Sequence, residues 1–156
     1  MGQELLELLT GLDGVRQCLR YHPEQDALYH CLQVFDLARG ESHDPALWAA
    51  ALFHDVGKAQ DSVNHELIGA DWLRGLVSPR VVFLVEHHMD LMCCARRTGR
   101  KLRATRMLSD LKRLRDWDLR GRRVDAAVLT PKQALELLQA ATDLLGPIAH
   151  EKENSH

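Results

Sequence analysis

The chain has 156 residues, 46% of them hydrophobic and 27% charged, with a net charge of −2. That is enough chain for one domain with a substantial core, and the balance excludes a disordered polyelectrolyte or a low-complexity fibre. No stretch approaches the ~18 continuous apolar residues of a membrane span, and the acidic start does not read as a signal peptide.

The small net charge hides an asymmetry. Positions 96–123 carry twelve Lys or Arg against three Asp, a local +9, which leaves −11 on the remainder. Such a band is either a solvated helix face or an attractor for an anionic partner such as RNA. Cys18, Cys31, Cys93 and Cys94 form no CxxC pair, so a reducing cytoplasm is the expected setting.

In chain order, Gln3 to Arg20 reads as one or two short helices broken at Gly11 and Gly14, burying Leu5, Leu8, Leu9 and Leu12. Pro23 forces His22 out of helical geometry, which makes a turn. A helix is expected from about Gln25 to Ala38, stopping at Gly40. Asp44-Pro45 supplies an N-cap and a first-turn proline for a helix ending at His54. Asp61 or Ser62 opens the next helix, through Leu76, and Ser78-Pro79 repeats the cap-plus-proline device for one reaching Met92. Arg96 to Lys101 reads as a basic connector, Leu102 to Leu119 as a helix ending at Gly121, and Thr130-Pro131 as the start of a last helix to Leu145. No segment alternates with the two-residue period of a strand, apart from Val81-Val85 inside a helical pattern. The expected fold class is all-α, a single domain over 1–156 with its core at about 20–125.

Helical geometry at 100° per residue sorts the polar residues. His30 falls among Ala27, Val34 and Leu37, and His65 among Ile68, Trp72 and Leu76. His88 falls among Val81, Leu84, Val85 and Met92, with His87 at the stripe's edge. Asp118 lies near the centre of the face formed by Met107, Leu111, Leu114 and Trp117, whereas Asp110 is at its flank and Asp116 points to solvent. With the doublet His54-Asp55, six polar groups are expected to face the core. One buried histidine is ordinarily a hydrogen-bonded core residue. Four with two aspartates are a different matter, since each uncompensated buried charge costs several kcal/mol against a domain margin of ~5–15 kcal/mol. A bound divalent cation stabilises all of them together. Imidazole and carboxylate without thiolate favour Mn, Fe, Co, Ni, Zn or Mg. Six ligands allow one ion on His30, His54, Asp55 and Asp118, or two ions bridged by Asp55.

The order His30, His54-Asp55, Asp118 resembles the HD superfamily of metal-dependent phosphohydrolases. His22-Pro23-Glu24-Gln25-Asp26, then Ala51-Leu52-Phe53-His54-Asp55-Val56-Gly57-Lys58, His65-Glu66 with Gly69-Ala70, and Asp118-Leu119-Arg120-Gly121-Arg122 resemble the HD domain attached to bacterial CCA-adding tRNA nucleotidyltransferases. The resemblance covers roughly residues 20 to 125. It implies a helical bundle around a metal centre. It also implies hydrolysis of phosphate mono- or diesters, often of nucleotides, by metal-bound hydroxide. Asp55 would hold the metal and orient or deprotonate the water, and Lys58 would offer its ammonium to a phosphate oxygen. His65 or His88 would contact phosphate or bind a second ion. Arg96, Arg97, Arg100 and Lys101 are expected to flank the mouth. Two other readings stay open: a mixed-valent di-iron oxygenase, and a non-catalytic module binding RNA or a signalling partner through the basic band.

Overall fold

A computed structural model describes residues 2–141. The described chain is helical, with no strand among its elements: α1 (Gly2–Thr10), α2 (Ala27–Glu41), α3 (Pro45–Phe53), a 3₁₀ turn (Val56–Ala59), α4 (His65–Leu73), α5 (Pro79–His87), α6 (Asp90–Cys93), α7 (Ala95–Lys101), α8 (Arg106–Arg120) and α9 (Pro131–Ala141). The all-α expectation holds. No helix among the described residues is long and apolar enough to cross a membrane.

The bundle is built around α3, whose sequence Pro-Ala-Leu-Trp-Ala-Ala-Ala-Leu-Phe has almost no polar side to show and is buried at seven positions. A helix apolar all round belongs at the centre. α2, α5, α8 and α9 pack on it, α4 packs against α5 and the 3₁₀ turn, and α1 lies on α9. α8 is amphipathic, burying Leu111, Leu114 and Trp117. The small residues of α3 let its neighbours approach closely, which brings the polar groups at its C-terminal end within reach of four other segments.

Capping follows the sequence at three helices. Asp26 accepts from Tyr29 N–H, Asp44 from Ala46 N–H and Ser78 from Val81 N–H, the last two with proline in the first turn. Asp44 also receives Arg80 at 2.7 Å, and Arg80 reaches the buried Asp110 at 2.8 Å. Replacing Asp44 by Ala removes the cap and leaves Arg80 with one partner fewer. The expected cost is about 1–2 kcal/mol, read as a lowered midpoint in thermal or urea unfolding.

Several boundaries depart from expectation. The chain after α1 is not helical to Arg20. Gly14, at φ 78°, turns it, and Val15 O accepts Ala27 N–H while Gln17 N–H donates to Gln25 O, tying the segment to the start of α2. Gly40 does not stop α2, which runs to Glu41 with Ser42 as its C-cap. α4 begins at His65, because Asp61 caps the turn at Val63 N–H and Asn64 resets the chain at φ 59°. It ends at Leu73, with Gly75 at φ 83°. The helix from Pro79 breaks after His87, where the His88 ring N–H takes the Val85 carbonyl. The expected connector 96–101 is itself helix α7, and α8 starts at Arg106 behind the Thr105 cap. The end of the last predicted helix, at Leu145, lies outside the described residues.

Candidate metal centre

His54, C-cap of α3, and Asp55 just beyond it stand at the middle of the bundle. α2 delivers His30, α4 begins with His65, α5 ends at His88, and α8 delivers Asp118 near its C-terminus. All six are buried, His30 and His54 completely. Asp110 is also buried, but Arg80 satisfies it, and Asp116 lies in solvent with Arg120.

The imidazoles share one device. A backbone carbonyl can only accept, so a ring nitrogen facing one carries the proton. His54 Nδ1–H donates to Ala51 O at 2.7 Å, His65 Nδ1–H to Ser62 O at 2.9 Å and His88 Nδ1–H to Val85 O at 2.6 Å, each three residues back. His30 Nδ1–H donates to Gly121 O at 2.8 Å, across the bundle. Four Nε2 lone pairs are thereby turned inward, towards the carboxylates.

Asp55 divides them. Its Oδ2 lies 3.2 Å from His54 Nε2 and 3.7 Å from His30 Nε2, while Asp118 Oδ1 lies 2.9 Å from His30 Nε2 and 3.5 Å from His54 Nε2. Its Oδ1 lies 3.1 Å from His65 Nε2 and 3.4 Å from His88 Nε2. Two clusters that could hold an ion result, His30–His54–Asp118 and Asp55–His65–His88. His65 Nε2 and His88 Nε2 are 3.2 Å apart, an approach that a proton on one of them or a cation between them relieves. His54 Nε2 is buried with no hydrogen-bond partner, although Asp55 Oδ2 lies 3.2 Å away. A donor set of this kind fits a divalent cation.

The electrostatics agree. Burial opposes charging His54, yet the Asp55 carboxylate, with Asp118 adding to it, raises its pKa well above the ordinary imidazole value. Burial also opposes ionising Asp55 and Asp118. His54 and Lys58 hold Asp55 well below the usual carboxylate range, and a hydrogen bond from His30 with the charge of His54 does the same for Asp118. The field that draws a proton to His54 draws a cation. Cys31 lies beside His54 and Asp55, but burial pushes its thiol up, so it remains neutral. Protons and cation compete for the same lone pairs. Cation uptake is therefore expected to weaken as pH falls through the raised His54 value, while both carboxylates are still ionised. Calorimetric titrations at stepped pH check this: an affinity that stays flat until the carboxylate range contradicts it.

A cavity of about 580 Å³ opens onto this cluster. Lys58 lines it, with Nζ 3.2 Å from Asp55 Oδ2. The cations at its wall are Lys58, Arg115 and Arg122. The expected Arg96, Arg97, Arg100 and Lys101 are not among its lining residues; α7 turns Arg97 and Lys101 to a second cavity instead. Arg115 Nη1 lies 3.5 Å from Asp118 Oδ2, and Arg122 donates from Nε to Asp118 O at 3.1 Å and from Nη1 to Tyr21 O at 2.8 Å. The signal for both was present: Arg115 lies three residues before Asp118 on one helical face, and Arg122 four after it. Sequence reasoning also passed over Glu24, a buried carboxylate with Oε1 2.6 Å from His22 Nδ1 and 3.7 Å from His30 Nδ1.

The HD domain family matches residues 27–126, more than half of the chain. Similar curated proteins include the Multifunctional CCA protein of Azoarcus sp., 33% identical over 163 residues and 96% of this chain. That of Hahella chejuensis is 29% identical over 126 residues and 74% of this chain, and that of Methylococcus capsulatus 50% identical over 57 residues and 36% of it. The chain spans 37% of the Azoarcus protein, 30% of the Hahella protein and 13% of the Methylococcus protein. Divalent-metal binding and hydrolysis are what that family implies at the coarse level. With His30, His54-Asp55 and Asp118 gathered at the centre of a helical bundle and that match spanning them, the chain belongs to the HD domain family.

Proposed function

We propose that the protein is a phosphohydrolase acting on phosphate mono- or diesters of a nucleotide or another small phosphorylated molecule, with His30, His54, Asp55, His65, His88 and Asp118 as the residues that would hold two divalent ions. The observation that carries this reading is the division of Asp55: one oxygen faces His54 and His30, the other His65 and His88, and every imidazole is tethered through Nδ1. Tethering fixes both tautomer and ring orientation, so the donors are in place before any ion arrives. A divalent cation held there lowers the pKa of a bound water towards ~7 and neutralises phosphoryl oxygens.

The chain's own residues do the rest. Asp55 would hold the centre and orient the attacking water. Lys58 presents an ammonium 3.2 Å from Asp55 Oδ2, placed to receive a phosphate oxygen. Arg115 and Arg122 offer guanidinium donors to the same cavity, suited to the planar edge of a phosphate. A nucleotide, free or within RNA, is supported by the resemblance to the domain attached to CCA-adding tRNA nucleotidyltransferases. Four cysteines with no disulfide suit the cytoplasm.

Metal analysis of the purified protein, followed by phosphatase and phosphodiesterase assays with Mn, Co, Ni or Mg, tests the reading. Two equivalents of metal and metal-dependent hydrolysis are expected. Retained iron, with absorbance that changes on exposure to oxygen and no hydrolysis of any phosphate ester, selects the di-iron oxygenase instead.

A further inference from the structure

Nine of the cations among the described residues are paired with carboxylates. Arg39, Arg74, Arg80, Arg120 and Arg123 each sit within 3.4 Å of a carboxylate. Arg96, Arg97, Arg100, Lys101 and Arg103 are all exposed, and no ion pair is found for any of them among the described residues. Like charges one helical turn apart oppose the helix they sit on, so α7 presents a surface that an anion would stabilise.

That surface is not a bare charge run. A cavity of about 200 Å³ lies where α5, α6 and α7 meet, lined by Phe83, His87, Asp90, Arg97 and Lys101. The Phe83 and His87 rings lie 4.3 Å apart between centroids, inclined by 36°, and form a half-exposed aromatic wall. Asp90 is held by His87 at 2.8 Å. Arg97 and Lys101 stand four residues apart on α7. The metal-centre cavity lies on the other side of α6, where Met89 and Met92 line it. One short helical turn is the wall between the two.

An aromatic face beside paired cations is what a single-stranded polynucleotide uses: a base stacks on the ring, and the backbone phosphates meet the charges. An acidic protein segment would use the cations but has no need of the aromatic wall. We infer that the α5–α7 cavity is an outer subsite, receiving a nucleotide upstream of the one whose terminal phosphate enters the metal centre. The strand's direction rests on the phosphohydrolase reading, whereas binding at the subsite does not.

The test uses Arg97→Glu/Lys101→Glu, with Lys132→Glu on α9 as a charge control. Hydrolysis of a short oligoribonucleotide ending in a phosphate is compared with that of a mononucleotide, and binding of a fluorescent oligonucleotide is followed by anisotropy across a salt series. The double variant is expected to lose about tenfold or more in kcat/KM on the oligonucleotide and none on the mononucleotide, and the salt slope of binding falls by about two. The Lys132 variant changes neither. Equal losses on both substrates, or no loss on either, overturn the subsite, as does poly-glutamate competing as well as an oligonucleotide of equal charge. If no phosphate ester is hydrolysed, the phosphohydrolase reading fails alone, and anisotropy still decides the subsite. A weakened double variant then supports it, and an unchanged one overturns it.

Discussion

Asp55→Ala is expected to remove cation uptake at both clusters and lower hydrolysis by about a thousandfold or more. The magnitude follows from the several kcal/mol of charge stabilisation that a catalytic metal supplies. Among the described residues, Asp55 is the one carboxylate whose two oxygens serve different sets of imidazoles, so its removal leaves each cluster short at once. Asp55→Asn keeps the volume and loses the charge, and it is expected to behave the same way. Helix content measured by circular dichroism stays that of the parent, because α3 is held by its apolar neighbours and not by this side chain. Asp116→Ala, by contrast, touches an exposed pair with Arg120 and leaves metal content and rate within about twofold. Metal analysis and phosphatase assays on the three variants read the comparison, and similar losses at Asp55 and Asp116 would falsify the inward-facing assignment.

Gly57→Ala is expected to cost about 3 kcal/mol or more of stability and to lower the melting temperature by roughly 10 °C. A Cβ built there lies 2.0 Å from the His65 carbonyl oxygen and 2.8 Å from the Gly69 amide nitrogen. Both are backbone atoms of α4, which cannot rotate aside as a side chain would. α4 would have to lift from the 3₁₀ turn, carrying His65 away from Asp55. Cation affinity should fall along with stability, which a cavity-type lesion elsewhere would not produce. Gly40→Ala is the control: it lies within α2 with open space around it, and helix propensity favours alanine there by about 0.5–1 kcal/mol. A Gly57→Ala protein that melts with the parent would show that α4 docks differently.

The fold class and the burial of the six polar residues were legible because helix periodicity is strong in this chain. His30, His88 and Asp118 each fall on an apolar stripe, and burial follows from the wheel alone. Ends were less legible wherever a side chain competes with the backbone. The ring of His88 captures the Val85 carbonyl and ends α5, and Asn64 in the left-handed region delays α4. Neither effect changes the hydrophobic pattern that the sequence displays. The position of the basic band was not legible for a different reason. Charge says nothing about direction, and α7, taken for a connector, turns Arg97 and Lys101 to a second cavity while Arg115 and Arg122 line the first. Glu24 escaped notice because it sits in a turn, where no periodicity marks a residue as buried.

The tether of His30 to Gly121 has a consequence for biosynthesis. Three histidines are clamped by carbonyls only three positions behind them, so their rings are oriented as soon as each local turn has formed. His30 waits for a carbonyl 91 residues later, and for Asp118 alongside it. During translation, then, most of the donor set emerges early from the ribosome while one half of the centre stays unfinished until α8 has left the exit tunnel. On the proposed reading, a nascent chain shorter than that would have only the His65–His88 half to offer an ion.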